Sequence, residues 1–211
     1  MYVLGLTGSI TMGKSWGVQC FRHLNIPVHD SDACVHALLG PGGAAVQDIL
    51  DVFPGVENDI GGINRSKLSD SVFAHEAELA LLEHILHPRV HAAQHQFLAK
   101  HARLQTKVVV LDIPLLFETR AQSRVDGILV MSAPVDLQYC RALARPHMTL
   151  DKLHAIMARQ MPDALKCFGA DFVVQTGLSR GKSLRKIKDI LGQLKTKQGK
   201  VWQPNWSKGK Y

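Results

Sequence analysis

The sequence predicts an α/β fold in which helices flank a parallel sheet. Short apolar runs of strand length alternate with segments of helical spacing along most of the chain. The run Lys107–Asp112 is almost entirely apolar, which is typical of a strand buried on both faces of a parallel sheet. The stretch at about 34–105 is almost wholly helical in its spacing, and it therefore predicts a helical lobe inserted after the second strand.

The first predicted strand and helix are joined by a glycine-rich loop. Gly8 to Ser15 fills every fixed position of the pattern Gly-x-x-x-x-Gly-Lys-Ser/Thr, between an apolar strand at Tyr2–Thr7 and a helix at Lys14–Leu24. Such a loop points successive N–H groups at phosphate oxygens, and the helix N-terminus adds its positive dipole end. We therefore expect a P-loop NTPase-type sheet in which Lys14 reaches the β- and γ-phosphates of ATP and Ser15 ligates Mg²⁺. A glycine-rich turn that binds nothing is the alternative.

Composition and charge limit the classes of partner. The 211 residues are 46% hydrophobic and 20% charged, and no apolar run is long enough for a membrane span. The formal net charge is +7, but the segment from Arg180 to the end carries +9 and the rest of the chain −2. We interpret this segment as a solvated helix face and tail, with weak polyanion binding as the alternative, and expect neither a nucleic-acid nor a membrane partner. The absence of a signal-peptide pattern predicts a cytoplasmic protein.

Two aspartates follow the second predicted strand, Ile26–His29, in the order Asp30-Ser31-Asp32. Ligands of open α/β sheets bind beyond the carboxyl ends of the strands, so we expect these carboxylates to face the phosphate loop. One could orient the substrate or a metal-bound water while the other accepts the proton of an attacking hydroxyl. Alternatively, Asp30 or Ser31 caps a helix at Ala33–Leu39. Asp32 lies inside the first turn and is less readily explained as a cap.

The inserted lobe contains a long stretch that is rich in histidine. After an amphipathic helix near residues 46–53, the spacing predicts helix from Arg65 to Gln105, broken at Pro88 because proline cannot continue the preceding turn. Four histidines recur along it, and no carboxylate completes a known ligand set. We therefore expect solvated or core histidines rather than a metal site at His84, His87, His91 and His95.

The second half of the chain returns to alternating strands and helices. The sequence predicts strands at Asp126–Ser132 and Phe172–Val174 and helices at Val135–Leu143, after Thr149 and up to Leu194. Asp112 ends its strand where a nucleotide-site carboxylate would hold a Mg²⁺-bound water. Arg141 and Arg145 are spaced as neighbours on one helix face. They are transition-state clamps if they lie close to a triphosphate, and ordinary surface charges otherwise.

Several sequence blocks resemble those of the dephospho-coenzyme A kinase family across nearly the whole chain. They are Gly5-Leu6-Thr7-Gly8, Asp30-x-Asp32, Pro41-Gly42, Arg65 with Leu68 and Val72-Phe73, His87-Pro88, Pro114-Leu115-Leu116-Phe117-Glu118, Gln138 with Arg141 and Arg145, Gln160, and Ala170-Asp171. The resemblance implies transfer of the γ-phosphoryl group of ATP to the ribose 3′-hydroxyl of 3′-dephospho-coenzyme A, with Mg²⁺. This reaction is the last step of coenzyme A synthesis.

The resemblance also implies roles for the matching positions. Asp32 would accept or orient the hydroxyl proton, Lys14 would serve catalysis at the phosphates, and Arg145 would be the lid arginine. The implied ATP-binding residues are Gly8, Thr11, Met12, Gly13, Lys14, Ser15, Trp16, Arg141 and Arg145. The implied substrate-binding residues are Asp30, Asp32, Arg65, His87 and Leu115. Ser15, and Asp112 through water, would hold Mg²⁺.

The expected organisation is one kinase domain over residues 1–195. Its core would comprise about 1–33, 106–135 and 168–195, its helical substrate lobe about 34–105, and its lid about 136–167. Residues 196–211 show no apolar period and are predicted to form a flexible basic tail. The expected partners are ATP and dephospho-coenzyme A, in a monomer or a weak homo-oligomer.

The chain departs from the family pattern at a few positions: Ser9, Thr11, Met12 and Trp16 in the loop, His36 where an arginine is usual, and Gln175-Thr176-Gly177 where Asp-Asn-x-Gly is usual. None of these removes a group that the chemistry requires. Two alternatives are kept. One is another small-molecule P-loop kinase, acting on a nucleoside, sugar or shikimate-like substrate. The other is a nucleotide-binding regulatory protein without catalytic activity.

Overall fold

The computed structural model describes residues 1–73 and 76–202, with the side chains of Phe73 and Glu76 left out. The chain divides into two compact units. One unit consists of Met1–His29 and Leu98–Tyr211, and we call it the sheet unit. The other consists of Asp30–Phe97, and we call it the helical unit. No helix within the described ranges has the length and apolar character needed to cross a membrane.

The sheet has five strands in the order β2-β3-β1-β4-β5. Their bounds are β1 Tyr2–Thr7, β2 Val28–Asp30, β3 Val108–Asp112, β4 Gly127–Ser132 and β5 Phe172–Gln175. The ladders of β1 with β3, of β1 with β4 and of β4 with β5 are parallel. Every residue of β1, β3 and β4 is buried, as the apolar runs predicted. The predicted parallel sheet flanked by helices is confirmed.

Nine α-helices are described. They are α1 Lys14–His23, α2 Ser31–Leu39, α3 Val46–Val52, α4 Arg65–Phe73, α5 Glu76–Arg103, α6 Val135–Leu143, α7 Leu150–Ala158, α8 Asp163–Phe168 and α9 Arg180–Leu194. The core of the sheet unit forms where β1, β3, β4 and β5 pack against α1 and α9. Phe21 of α1 and Ile187 of α9 are fully buried there. Burying a side chain of this size stabilises the fold by roughly 1.5–3 kcal/mol.

The long helix α5 continues through Pro88, so the predicted break at this proline is wrong. A proline removes one backbone N–H donor, but the helical turns before and after it keep their hydrogen bonds. The guanidinium of Arg89 adds a donor beside the proline, because its Nη1 donates to the Ile85 carbonyl over 2.7 Å. One missing hydrogen bond in a 28-residue helix is therefore tolerated.

The helical unit has a separate apolar core. Its buried side chains come from α2, α3, α4 and the loop at 53–64, and they include Leu39, Ile49, Phe53, Ile63 and Leu68. Asn58 shapes this loop, because its side-chain oxygen accepts from the N–H groups of Ile60 and Gly62. The unit therefore combines an apolar core with a loop that is held by polar contacts.

The start of the predicted tail contacts the sheet unit, in contrast to the flexible segment expected from residue 196. Asp126 Oδ1 accepts from the N–H groups of Lys200 and Val201, the latter at 2.8 Å. The other oxygen of this carboxylate accepts from Val3 N–H at 2.8 Å. A half-buried side-chain carboxylate that accepts backbone N–H groups leaves no period in the segment that it binds, which explains the difference. The rest of the predicted tail, residues 203–211, lies outside the described residues.

Candidate active site

The glycine-rich loop has the backbone conformation that its sequence predicts. Gly13 has a φ of 94°, and Thr11 has a φ of 59° although it carries a side chain. A Cβ atom at Gly13 would lie 2.9 Å from the side chain of Thr176. The left-handed φ and the close neighbour together require glycine at position 13. The loop then leads into α1, and the N–H groups at the start of an α-helix form a favourable site for an anion.

The carbonyl oxygens of the loop are bound by donors from distant parts of the chain. Gln138 Nε2 donates to the Ile10 carbonyl over 2.9 Å, and Thr176 Oγ1 donates to the Met12 carbonyl over 2.8 Å. Arg141 Nη1 lies 3.4 Å from the Thr11 carbonyl. Because these carbonyl oxygens already face donors of the protein, they are directed away from an incoming phosphate.

Arg141 also holds the segment that follows β5. Its Nη1 donates to Thr176 Oγ1 over 2.9 Å, and its Nη2 donates to the Thr176 carbonyl over 2.7 Å. The Thr176 hydroxyl therefore links Arg141 to the loop at Met12. Sequence reasoning treated Thr176 only as a departure from the family pattern. A hydroxyl that links a guanidinium to a distant backbone carbonyl leaves no periodic signal in the sequence.

Lys14 is held by the carboxylate at the end of β3. Its Nζ lies 2.9 Å from Asp112 Oδ1 and 2.8 Å from Oδ2. The register of the β1 and β3 ladder pairs Leu6 with Asp112, which explains why the carboxylate lies beside the loop. The Asp112 side chain is 4% exposed and that of Lys14 is 18% exposed, so the ammonium remains accessible while its partner is buried. Asp112 thus fixes the direction of the loop lysine.

The donor set at this site fits Mg²⁺. Ser15 is exposed in the first turn of α1, and the Asp112 carboxylate lies at the adjoining strand end. Within residues 1–73 and 76–202, no group of three or more His, Cys, Asp or Glu side chains is placed to hold a metal ion. Mg²⁺ at phosphates needs only one or two protein ligands, because phosphate and water oxygens complete its octahedral shell. One hydroxyl and one carboxylate therefore match its requirements.

Arg145 does not share the helix face of Arg141, which corrects the inference from their spacing. The helix α6 ends at Leu143, and the Arg145 N–H donates to Ala142, three residues back, in a tightened final turn. Arg145 is exposed, whereas Arg141 is half-buried. The spacing of four residues implies a common face only while the α-helix continues.

Trp16 packs against the sheet-unit core from the first turn of α1. The guanidinium carbon of Arg180 lies 5.0 Å from the centre of its ring, a distance typical of a cation–π contact. The indole is thus accommodated by packing on the sheet and by Arg180. Its backbone N–H stays in the first turn of α1, as the loop pattern requires.

The predicted acceptor-side carboxylates belong to the helical unit. Asp30 is the N-cap of α2, and its Oδ1 accepts from the Ala33 N–H over 2.9 Å. Asp32 follows in the first turn of α2 and is exposed. The capping role that the sequence left open between Asp30 and Ser31 is therefore filled by Asp30.

The other predicted substrate-binding residues lie on separate elements. Arg65 begins α4 and hydrogen-bonds through Nη1 to His36 Nε2. Both residues line a cavity of about 190 Å³ in the helical unit. His87 is exposed on α5, with its ring stacked on His91 at a centroid distance of 6.1 Å. Leu115, in the sheet unit, is 41% exposed.

Fold and loop together define the class of protein, a P-loop kinase with a five-stranded parallel sheet. The model of the dephospho-CoA kinase family matches residues 2–180, and the chain belongs to this family. It is 54% identical over 166 residues to the dephospho-CoA kinase of Paramagnetospirillum magneticum, covering 79% of this chain and 78% of the relative. It is 48% identical over 186 residues to the enzyme of Rhodospirillum rubrum, covering 88% of each chain. A solved structure from Thermus thermophilus superposes with a TM-score of 0.78 at 29% identity, covering 92% of this chain and 97% of the other.

Proposed function

We propose that this chain transfers the γ-phosphoryl group of ATP to the ribose 3′-hydroxyl of dephospho-CoA, giving coenzyme A and ADP. The observation that carries the proposal is a complete phosphate loop, with Lys14 held at the end of β3, in a chain that matches the dephospho-CoA kinase family over residues 2–180. Other small-molecule P-loop kinases share the fold and the loop. Membership of the family favours dephospho-CoA over a nucleoside, sugar or shikimate-like acceptor.

On the donor side, the residues of the sheet unit neutralise and orient phosphate. The Lys14 ammonium, held against Asp112 at 2.8 Å, would turn toward the β- and γ-phosphates as ATP enters. The first N–H groups of α1 add further positive charge, which matters most where negative charge develops in the transition state. Ser15, and Asp112 through a water, would hold Mg²⁺, which neutralises charge on the phosphate oxygens when bound.

On the acceptor side, we assign proton acceptance to Asp32. Asp30 already accepts the Ala33 N–H as the cap of α2. Turning Asp30 toward a substrate would break this hydrogen bond and leave the start of α2 without its cap. Asp32 has the exposure that a bulky nucleotide substrate requires. Phosphoryl transfer depends mainly on positioning and charge, so one oriented carboxylate suffices.

The remaining roles follow the family resemblance. Arg145 would clamp the nucleotide from the lid at about 136–167. Arg141 would hold the phosphate loop and line the ATP site. Arg65, His87 and Leu115 would bind dephospho-CoA, the first two from the helical lobe at about 34–105. We also propose a cytoplasmic location and a monomer or weak homo-oligomer.

A coupled assay of ADP release tests the proposed function. With Mg–ATP, 3′-dephospho-CoA should support turnover, and mass spectrometry should show the acceptor heavier by one phosphate. Nucleosides, simple sugars and shikimate serve as competing acceptors in parallel reactions. Faster turnover with one of these, or ATP binding without any turnover, would overturn the assignment.

A further inference from the structure

We propose that Glu118, paired with Lys166, is a positioning residue that sets the affinity of the phosphate loop for ATP. The inference rests on the proposed function, since it concerns the same nucleotide site. Neither residue touches the loop. They act on it through the neighbouring residues Met161 and Gln160.

The pair is buried between two segments of the sheet unit. Lys166 lies on α8 and is fully buried, and its Nζ lies 2.9 Å from Glu118 Oε1. The same carboxylate oxygen accepts from the Met161 N–H at 2.8 Å. Glu118 therefore binds the backbone just before α8 as well as a side chain on that helix. Both contacts fix the segment between α7 and α8.

The residue next to Met161 reaches the phosphate loop directly. Gln160 Oε1 accepts from the Ile10 N–H over 3.0 Å. Ile10 immediately precedes Thr11, which holds the left-handed φ of 59° that the loop requires. The path from Glu118 to the loop thus contains two hydrogen bonds, each from a backbone N–H to a side-chain oxygen, and the peptide unit between Gln160 and Met161. A shift of Met161 would move the acceptor that holds Ile10.

The electrostatics of the pair favour a positional role over a purely stabilising one. Burial disfavours the charged form of Glu118, but the ion pair with Lys166 and the hydrogen bond from Met161 outweigh it, so the pKa of this carboxyl lies below its usual value. A buried ion pair often gives no net stability over apolar side chains of similar volume, because both ions lose their hydration. Removing one partner alone is costly, because the other charge is then left buried without a counter-charge. Useful variants must therefore remove both charges together.

Two charge-neutral double variants separate the positional role from stability. Glu118→Gln with Lys166→Met keeps an oxygen that can accept the Met161 N–H. Glu118→Leu with Lys166→Met removes that acceptor. The dissociation constant of Mg–ATP is measured by calorimetric titration for both, together with melting temperatures. We expect the first to bind ATP within about twofold of the parent and the second about threefold to tenfold more weakly, as the loss of one positioning hydrogen bond implies.

A double-mutant cycle with Gln160→Leu tests the path itself. This change alone should weaken ATP binding to a similar extent, and it should add little to the Glu118→Leu/Lys166→Met variant, since both break the same chain of contacts. Ile187→Val, on α9 in the core of the sheet unit, is the control for destabilisation. It should leave ATP affinity unchanged. Parent-like ATP binding by Gln160→Leu, or fully additive effects, would overturn the inference. The titrations contain no acceptor, so failure of the proposed function would appear separately, in the turnover assay.

Discussion

The phosphate loop and the helical unit are held in place by different kinds of interaction. The loop exchanges hydrogen bonds with residues more than 100 positions away in the chain: Gln138 and Thr176 donate to its carbonyl oxygens, and Gln160 accepts from its Ile10 N–H. The helical unit is organised around an apolar core. Hydrogen bonds are directional and fix atoms to a few tenths of an ångström, whereas apolar packing fixes volume. We therefore expect the phosphate loop to be preformed, and the helical unit, which carries the proposed acceptor carboxylate, to be more adaptable.

The largest expected effect is at the loop lysine. Lys14→Ala removes the charge that accompanies the transferred phosphoryl group, and kcat should fall roughly 100-fold to 1000-fold, as for the loss of a single transition-state donor. Steady-state turnover of dephospho-CoA measures it. Lys186→Ala, on the exposed face of α9, is the matched control and should behave like the parent. A Lys14 variant with near-parental turnover would contradict the assignment of the loop.

The second prediction concerns the helical unit. Asp32→Asn keeps the shape of the side chain but removes the proton acceptor, so kcat should fall about 100-fold or more while KM for ATP changes little. Asp30→Asn should mainly perturb the cap of α2, where asparagine is also tolerated. If Asp30→Asn is the more damaging of the two, their roles are exchanged.

The third prediction tests whether the lid arginine acts at the phosphates. Arg145→Lys keeps the positive charge but loses the planar fork that binds two phosphate oxygens together, so turnover should fall on the order of tenfold. Arg159→Lys, another exposed arginine of the same segment, is the control. Parental turnover by the Arg145 variant would make this residue an ordinary surface charge.

The fourth prediction compares one substitution in each region. Thr176→Val removes the donor to the Met12 carbonyl and should weaken ATP binding about threefold to tenfold, with a small loss of stability. Ile49→Val, in the core of the helical unit, should cost about 0.5–1.5 kcal/mol of stability and leave ATP affinity unchanged. Calorimetric titration and thermal unfolding measure both quantities. Equal effects of the two variants on ATP binding would remove the distinction between the regions.

The smallest effect is expected outside both regions. Truncation after Lys195 removes the N–H groups that bind Asp126. Tm should fall by about 2–4 °C for each kcal/mol of unfolding free energy that these bonds contribute. Activity should be retained. Truncation after Trp202 keeps these bonds and should leave Tm unchanged. Equal melting temperatures for the two truncated chains would mean that the contact with Asp126 contributes nothing to stability.

The sequence by itself predicted the strands, the loop and the class of fold. These features depend on local chemistry: apolar runs for buried strands, and glycines with Lys14 for a phosphate-binding turn. The start of α7 after Thr149 was also predicted, because the threonine caps the helix through the N–H of Lys152, only three positions away. Each of these signals lies within about ten residues of the structure that it predicts.

The tertiary structure decided what the sequence could not. In the folded chain α5 continues through Pro88, the short helix α8 forms, and Lys166 is buried against Glu118. The tertiary structure also chose Asp112 as the partner of Lys14. These outcomes depend on contacts between residues far apart in the chain, and a pairing of that kind leaves no period or spacing in either segment. Local sequence specifies which groups can bind phosphate, whereas distant hydrogen bonds decide where those groups are held.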